Sequence, residues 1–189
     1  MRRLAWSTAT AAGAAAGTAG LYLGLVTAAV PLDLGIGRCY RELGPLTVDI
    51  AAPRDVVFDI LAAPYLTRQT HAMADKIRVL ERGADMVLAA HRTPIGRGLV
   101  ATTVETVRFT RPERIDFRLV RGPVPEVTEQ FLFTGDQRTT RLDYHGRLGT
   151  DLWTVGAWWG GLVAQRWQQT VADTFAAVRV EAERRPDRH

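Results

Sequence analysis

Six segments between residues 75 and 148 alternate apolar and polar side chains, each parted from the next by a turn signal. Successive side chains of a strand point to opposite faces, so this alternation marks strands with one buried and one wet face. The segments fall at 75–81, 85–92, 98–109, 113–121, 126–134 and 139–148. The breaks are Arg82-Gly83, Pro94-Ile95-Gly96, Arg111-Pro112, Gly122-Pro123 and Gly135-Asp136, all suited to hairpins or tight loops. Connections so short join antiparallel neighbours, because parallel strands need a crossover of a dozen residues or more. The pattern excludes a helical bundle and a parallel α/β sheet, and it leaves an apolar sheet face that another element must cover.

The cover comes at the end of the chain. Val163, Trp167, Val171, Phe175 and Val178 recur at three- and four-residue steps, with Arg166, Gln169, Asp173 and Arg184 on the other side. This spacing predicts an amphipathic helix over about 162–184, with Gly160-Gly161 starting or breaking it. Upstream, Leu46 to Ile50 alternates as a further strand, and 53–62 (PRDVVFDILA) reads as a helix with Pro53 in its first turn and Asp55 near its positive end. A second short helix is expected around 65–72. The fold class is therefore α+β, an antiparallel sheet of about seven strands with a long C-terminal helix against it.

The chain has 189 residues, a net charge of +4 and 23% charged residues, an ordinary composition for one folded domain plus an appendage. Its basic residues are almost all arginine, Lys76 being the only lysine, and they alternate with acids along the strands. A nucleic-acid stripe would need clustering, so no nucleic-acid partner is expected. Cys39 is the only cysteine, which excludes an intrachain disulfide and a cysteine-built metal cluster. His71, His91, His145 and His189 show no ligand spacing, so no metal and no cofactor are expected. Ser7 is the only serine and lies far from the domain, so a serine hydrolase is ruled out.

From Leu4 through Leu32 the chain carries no charge. A helix over 4–30 would extend about 40 Å at roughly 1.5 Å per residue, more than the ~30 Å of a bilayer core. Residues 1–31 are therefore expected to be a single-pass membrane anchor, with a cleaved signal peptide ending near Thr27-Ala28-Ala29 or a disordered extension as the alternatives. Gly13, Gly17, Gly20 and Gly24 line one helix face, which reads either as the close-packing face of a homodimer in lipid or as chance in a segment already rich in small residues. Such a pair would bring Cys39 of two chains close together. Arg2 and Arg3 before the segment nearly balance Arg38 and Arg41 after it, leaving only a slight preference for the domain on the extracytoplasmic side. Residues 32–44 read as a linker, 45–185 as the folded domain, and 186–189 as a disordered tail.

Several stretches carry a family resemblance: VDIAAPRDVVFDILA (48–62), RPERIDFRL (111–119), EQFLF (129–133), TTRLDYHG (139–146) and WQQTVADTF (167–175). In these, and in element order, 45–184 resembles the START-like (SRPBCC) superfamily, in its polyketide cyclase/dehydrase-type branch. The resemblance implies a helix-grip fold, a curved sheet wrapped around the long helix with a cavity between. It also implies an apolar or amphipathic ligand, since many members bind one there while others are cyclases, dehydratases or regulatory modules.

Alternation sorts the faces of that cavity. Ile115, Phe117 and Leu119 share a face, as do Val127, Glu129, Phe131 and Phe133, and as do Leu142, Tyr144 and Leu148. With Trp167 and Val171 from the helix, the expected ligand-binding set is Ile115, Phe117, Leu119, Phe131, Phe133, Tyr144, Trp167 and Val171, an apolar lining with few polar hooks. The same residues would equally fill a solid core. Glu129 stands out: a carboxylate on that face must find a partner or take up a proton. Glu105 sits in a segment readable in either phase, and an arginine on a neighbouring strand is the plain alternative for both acids. His91 and His71 read as surface or hydrogen-bonded residues, and His145 points away. Trp153, Trp158 and Trp159 would form a membrane-dipping edge, a gate over the cavity, or a hydrophobic plug. The favoured function is a membrane-tethered binding protein for a lipid, isoprenoid or polyketide-like molecule. The alternatives are a cyclase or dehydratase using Glu129 or Tyr144 for proton transfer, and a packed structural or regulatory module.

Overall fold

The computed structural model describes residues 20–30, 33–66 and 76–184. Seven strands form one antiparallel sheet in the order β1-β7-β6-β5-β4-β3-β2. The strands are β1 (Cys39–Ile50), β2 (Ile77–Arg82), β3 (Met86–Gly96), β4 (Leu99–Thr110), β5 (Arg114–Arg121), β6 (Glu126–Gly135) and β7 (Thr140–Thr150). Strands β2 to β7 are the expected meander, and β1 closes the far edge beside β7. Among the described residues, besides the short helical piece at 20–26, α1 (Arg54–Leu66) follows β1 and α2 (Trp153–Arg184) follows β7. Helix α2 packs on β1, β7 and α1.

The core lies between the sheet and these helices. Val57, Phe58, Leu61 and Tyr65 of α1 are buried, and Ala164, Val171, Phe175, Val178 and Ala182 of α2 face the sheet. Ile115, Leu142, Tyr144 and Leu148 on the sheet side are 1% exposed or less. Burial of each such large apolar side chain contributes about 1.5–3 kcal/mol, which makes the covered face the main stabilising feature.

Two expectations are corrected. The segment 32–44 is not all linker, because β1 begins at Cys39 and its first residues pair with β7, Cys39 opposite Thr150 and Leu43 opposite Gly146. The register shifts between Leu43 and Leu46, across Pro45, which has no N–H to give to the ladder. That break hid the strand from a reading by strict alternation. Residues ahead of β1 are also tied down. Asp151 accepts hydrogen bonds from the backbone N–H groups of Leu34 (2.6 Å) and Gly35 (2.8 Å), and it pairs with Arg38 at 2.8 Å.

The long helix starts at Trp153, not near 162, and runs through Gly160-Gly161. Glycines at 156 and 160 let the helix lie close on the end of β7. A Cβ at Gly156 would fall 1.6 Å from the Asp151 carbonyl oxygen, and one at Gly160 would fall 2.9 Å from Thr150 Cγ2. Their role is close approach. Leu152 and Trp153, at φ of 71° and 47°, make the turn from strand to helix.

The expected anchor over 1–31 falls largely outside what the structure shows. Residues 1–19 lie outside the described residues, and with them Gly13 and Gly17. Residues 20–26 are helical, but the helix ends there, and no helix among the described residues is long and apolar enough to cross a membrane. The chain turns at Ala28 (φ 58°), which is buried. Thr27 O accepts from Thr102 N at 3.1 Å, and Ala29 O accepts from Arg121 at 3.0 Å, so 27–29 lie against the edge of β4 where it overhangs β5. Gly24 makes its close approach within the chain, with a Cβ there falling 2.9 Å from Val30 Cγ2. The rest of the expected short helix at 65–72 and the tail 186–189 also fall outside the described residues.

Candidate functional site

Register assembles the inner face row by row. Phe117 stands opposite both Val107 and Glu129, and Glu129 stands opposite Gly146. One step along, Ile115, Phe131 and Tyr144 form the next row. The rings run together as a tilted series: Phe117–Phe131 at 5.2 Å between centroids, Phe131–Tyr144 at 5.1 Å, and Phe131–Phe175 of α2 at 6.0 Å. All eight expected lining residues lie on this side of the sheet or on the helix facing it. Ile115, Leu119, Phe131, Phe133, Tyr144 and Val171 are buried, while Phe117 and Trp167 are half-buried. Phe133 packs under α1 against Phe58 at 5.3 Å, away from Glu129.

Glu129 is 7% exposed and its Oε1 accepts two hydrogen bonds, from the Tyr144 hydroxyl and from Trp167 Nε1, each at 2.7 Å. The strand supplies the acid, the next strand the phenol and the helix the indole. Gly146 makes room for the first of these bonds, since a Cβ there would fall 3.2 Å from the Tyr144 hydroxyl and 3.3 Å from Glu129 Cγ. Burial chiefly, and the charge of Glu105 with it, push the Glu129 carboxyl up to about 8 against the lowering effect of the two donors. With Oε1 occupied as acceptor, the proton belongs on Oε2.

A second polar group lies across the same face. Glu105, paired with Ala89 and Leu119, points inward and is 6% exposed, which settles the phase of β4. Its Oε1 accepts from the Thr103 hydroxyl at 2.7 Å, and burial pushes the carboxyl up to about 7. Its Oε2 lies 3.4 Å from His91 Nδ1, while His91 Nε2 lies 2.9 Å from the hydroxyl of Tyr65 on α1. Burial lowers His91 to about 4 and raises Tyr65 above its ordinary range, so at neutral pH the imidazole and the phenol are both uncharged. Either His91 tautomer fits: Tyr65 donates to Nε2 and Nδ1–H points at Glu105, or Nε2–H donates to Tyr65 and a protonated Glu105 points at Nδ1. The 3.4 Å approach of Glu105 Oε2 is not a hydrogen bond, and His91 Nδ1 is buried with no hydrogen-bond partner among the described residues, so the polar chain is interrupted at that link.

Among the described residues no ion pair joins an arginine to Glu105 or Glu129, so the arginine alternative is replaced by phenol, indole, hydroxyl and imidazole partners. His145 is exposed, as its parity requires. His71 lies outside the described residues. Tyr65, His91, Thr103 and Gly146 joined the site only through pairing, although His91 and Thr103 share the parity of buried Ala89 and Glu105. On the opposite side of β4, Thr102 and Val104 line an outer pocket of about 320 Å³ with Thr27–Ala29 and Arg121, remote from this chemistry.

Comparison with known structures bears on the arrangement as a whole. The Zhui aromatase/cyclase of Streptomyces sp. R1128 superposes with a TM-score of 0.58 at 23% identity, covering 78% of this chain and 95% of its own. A START superfamily protein of Mycobacterium smegmatis gives 0.54 at 14% identity, covering 76% and 98%. Norcoclaurine synthase of Thalictrum flavum, solved with dopamine and hydroxybenzaldehyde, gives 0.55 at 10% identity, covering 80% and 91%. The chain shares the fold of these structures, an antiparallel sheet with a long C-terminal helix against it. No protein-family profile and no curated protein matches the sequence.

Proposed function

We propose that this helix-grip protein binds an apolar or amphipathic small molecule against the inner face of its sheet, with Glu129 as the polar hook. The observation that carries the reading is the buried Glu129 carboxyl, hydrogen-bonded by Tyr144 and Trp167 on a face that also carries the half-buried rings of Phe117 and Trp167. An apolar lining with a few placed polar groups is the usual make-up of a small-molecule site. Phe117 and Trp167 offer aromatic surface, and a protonated Oε2 offers a hydrogen bond to a hydroxyl or carbonyl. The fold's likeness to an aromatase/cyclase and to a synthase solved with two aromatic compounds supports a ligand of that kind. The uncharged stretch 4–32 supports a tether that keeps the domain beside a membrane source of such molecules.

A second reading has its own observation. Glu129 holds a proton at neutrality and Glu105 is ionised in part there, both on one face with His91 beside the second, and acids tuned to the working pH are what general acid–base chemistry needs. In a dehydration or cyclisation, Glu129 or Tyr144 would give the proton and the His91–Glu105 pair would take one.

Native mass spectrometry of the full chain, released from mild detergent, tests the first reading. Bound apolar small molecule is the expected result. An empty protein that also fails to bind an apolar fluorescent probe overturns the reading. Glu129→Gln separates the two: turnover of the recovered ligand should fall by about 10²–10⁴-fold if Glu129 moves a proton, with binding retained. Unchanged turnover removes Glu129 from the chemistry.

A further inference from the structure

One end of the molecule is built to be greasy. Antiparallel order brings the start of β1, the end of β7, the start of β6, the end of β5 and the N-terminus of α2 to the same edge of the sheet. There Trp153, Val155 and Trp158 are 62%, 68% and 66% exposed, with Leu162 one turn further along the helix and Leu34 and Ile36 beside them. Leu152 N and Trp153 N donate to Ile36 O (2.9 Å) and Gly37 O (2.8 Å), and a Cβ on Gly37 would fall 2.3 Å from the Trp153 ring. Trp159 on the neighbouring helix face turns inward instead and donates to Pro123 O at 2.8 Å, so the outward tryptophans are not a plug. The Asp151 hydrogen bonds to Leu34, Gly35 and Arg38 hold the segment against the helix start.

What covers this surface is indicated by the chain that enters it. The uncharged stretch from Leu4 ends at Leu32, one residue before Asp33 and two before Leu34. The helical piece 20–26 belongs to the same end, tied through Ala29 to Arg121 at the end of β5, and it exposes Leu21 and Leu23. Indole rings with an apolar body and one N–H favour the headgroup layer. We propose that this end of the folded domain docks in the interfacial layer of a lipid bilayer, with Trp153 and Trp158 at headgroup depth and Val155, Leu162, Leu34 and Ile36 beneath them. This draws on the tether proposed above and goes beyond it: the domain does not swing free on its anchor but lies down on the membrane.

The test uses the full chain with Trp6→Phe, so that no tryptophan of the uncharged stretch reports. The protein is reconstituted with phosphatidylcholine vesicles carrying ordinary or brominated acyl chains, and flotation and tryptophan emission are measured. Flotation together with quenching of roughly half the emission by brominated lipid is expected, because two of the four remaining tryptophans would touch lipid. Trp153→Phe with Trp158→Phe should abolish most of that quenching. Val155→Asp, at a site too exposed to disturb the core, should reduce it several-fold. Flotation with equal emission in both lipids overturns docking and leaves the tether standing. A lipid-free dimer that shields the two tryptophans from iodide would make a second copy the occupant and overturns docking. Failure to float overturns docking and tether together, and neither result touches the ligand reading.

Discussion

At the scale of single residues, Glu129 decides how stability depends on pH. Its ordinary value is near 4.5, and burial pushes it up to about 8 in the folded chain. The folded state therefore holds a proton that the unfolded state has already lost between those values, and stability falls as pH rises through that window. Glu105, pushed up to about 7, acts with the same sign. The combined loss should be on the order of a few kcal/mol. Urea unfolding at pH 5, 7 and 9 measures it. Glu129→Gln keeps an oxygen for Tyr144 and Trp167 but has nothing to titrate, so its stability should change less with pH and exceed wild type at pH 9. Glu129→Ala leaves both donors without an acceptor and should cost about 1–3 kcal/mol at any pH. Equal slopes for wild type and the Gln variant would show that the acid is not held neutral by burial.

Among elements, the glycines of α2 make the sharpest contrast. Gly156 faces the Asp151 backbone at a distance no Cβ tolerates, whereas a Cβ at Gly161 meets only Arg41 Nη2 at 3.7 Å. Gly156→Ala must push the helix off β7 and should cost more than about 3 kcal/mol, the range of severe overpacking. Gly161→Ala, two turns into the same helix, should add about 0.5–1 kcal/mol, the difference in helix propensity. Thermal unfolding of the two variants checks both signs. A helix that in fact began near 162 would make both substitutions nearly neutral.

For the whole molecule, Asp151 joins the incoming chain to the place where sheet becomes helix. Its carboxylate is fully buried, takes two backbone N–H groups and the Arg38 guanidinium, and is held below the usual carboxylate range chiefly by that arginine. Removing one partner of such a buried pair costs about 3–5 kcal/mol. Asp151→Ala should therefore lower stability by that order, and hydrogen exchange at Leu34 and Gly35 should speed up before any change in β4 to β6. Protection that stays unchanged at those two amides would mean that 33–38 is held by other contacts. If the segment comes loose, the tryptophan-bearing end should also lose its order, which couples this clamp to membrane docking.

The sequence by itself determined the strands of the meander, the side that Ile115, Phe117, Phe131 and Tyr144 face, and the presence of Glu129 among them, because period-two alternation is a local property. It also showed the covering helix from the spacing of Val163 to Val178. Tertiary structure decided what locality cannot carry. Glu105 had two readable phases until pairing with Ala89 and Leu119 turned it inward. Tyr65 and His91 are far apart in the chain and meet only because α1 folds back under β3. The start of β1 was masked by a bulge at Pro45, and Gly160-Gly161 looked like a helix break because a glycine's reason for being small lies in the neighbour it approaches. That neighbour is known only once the chain has closed on itself.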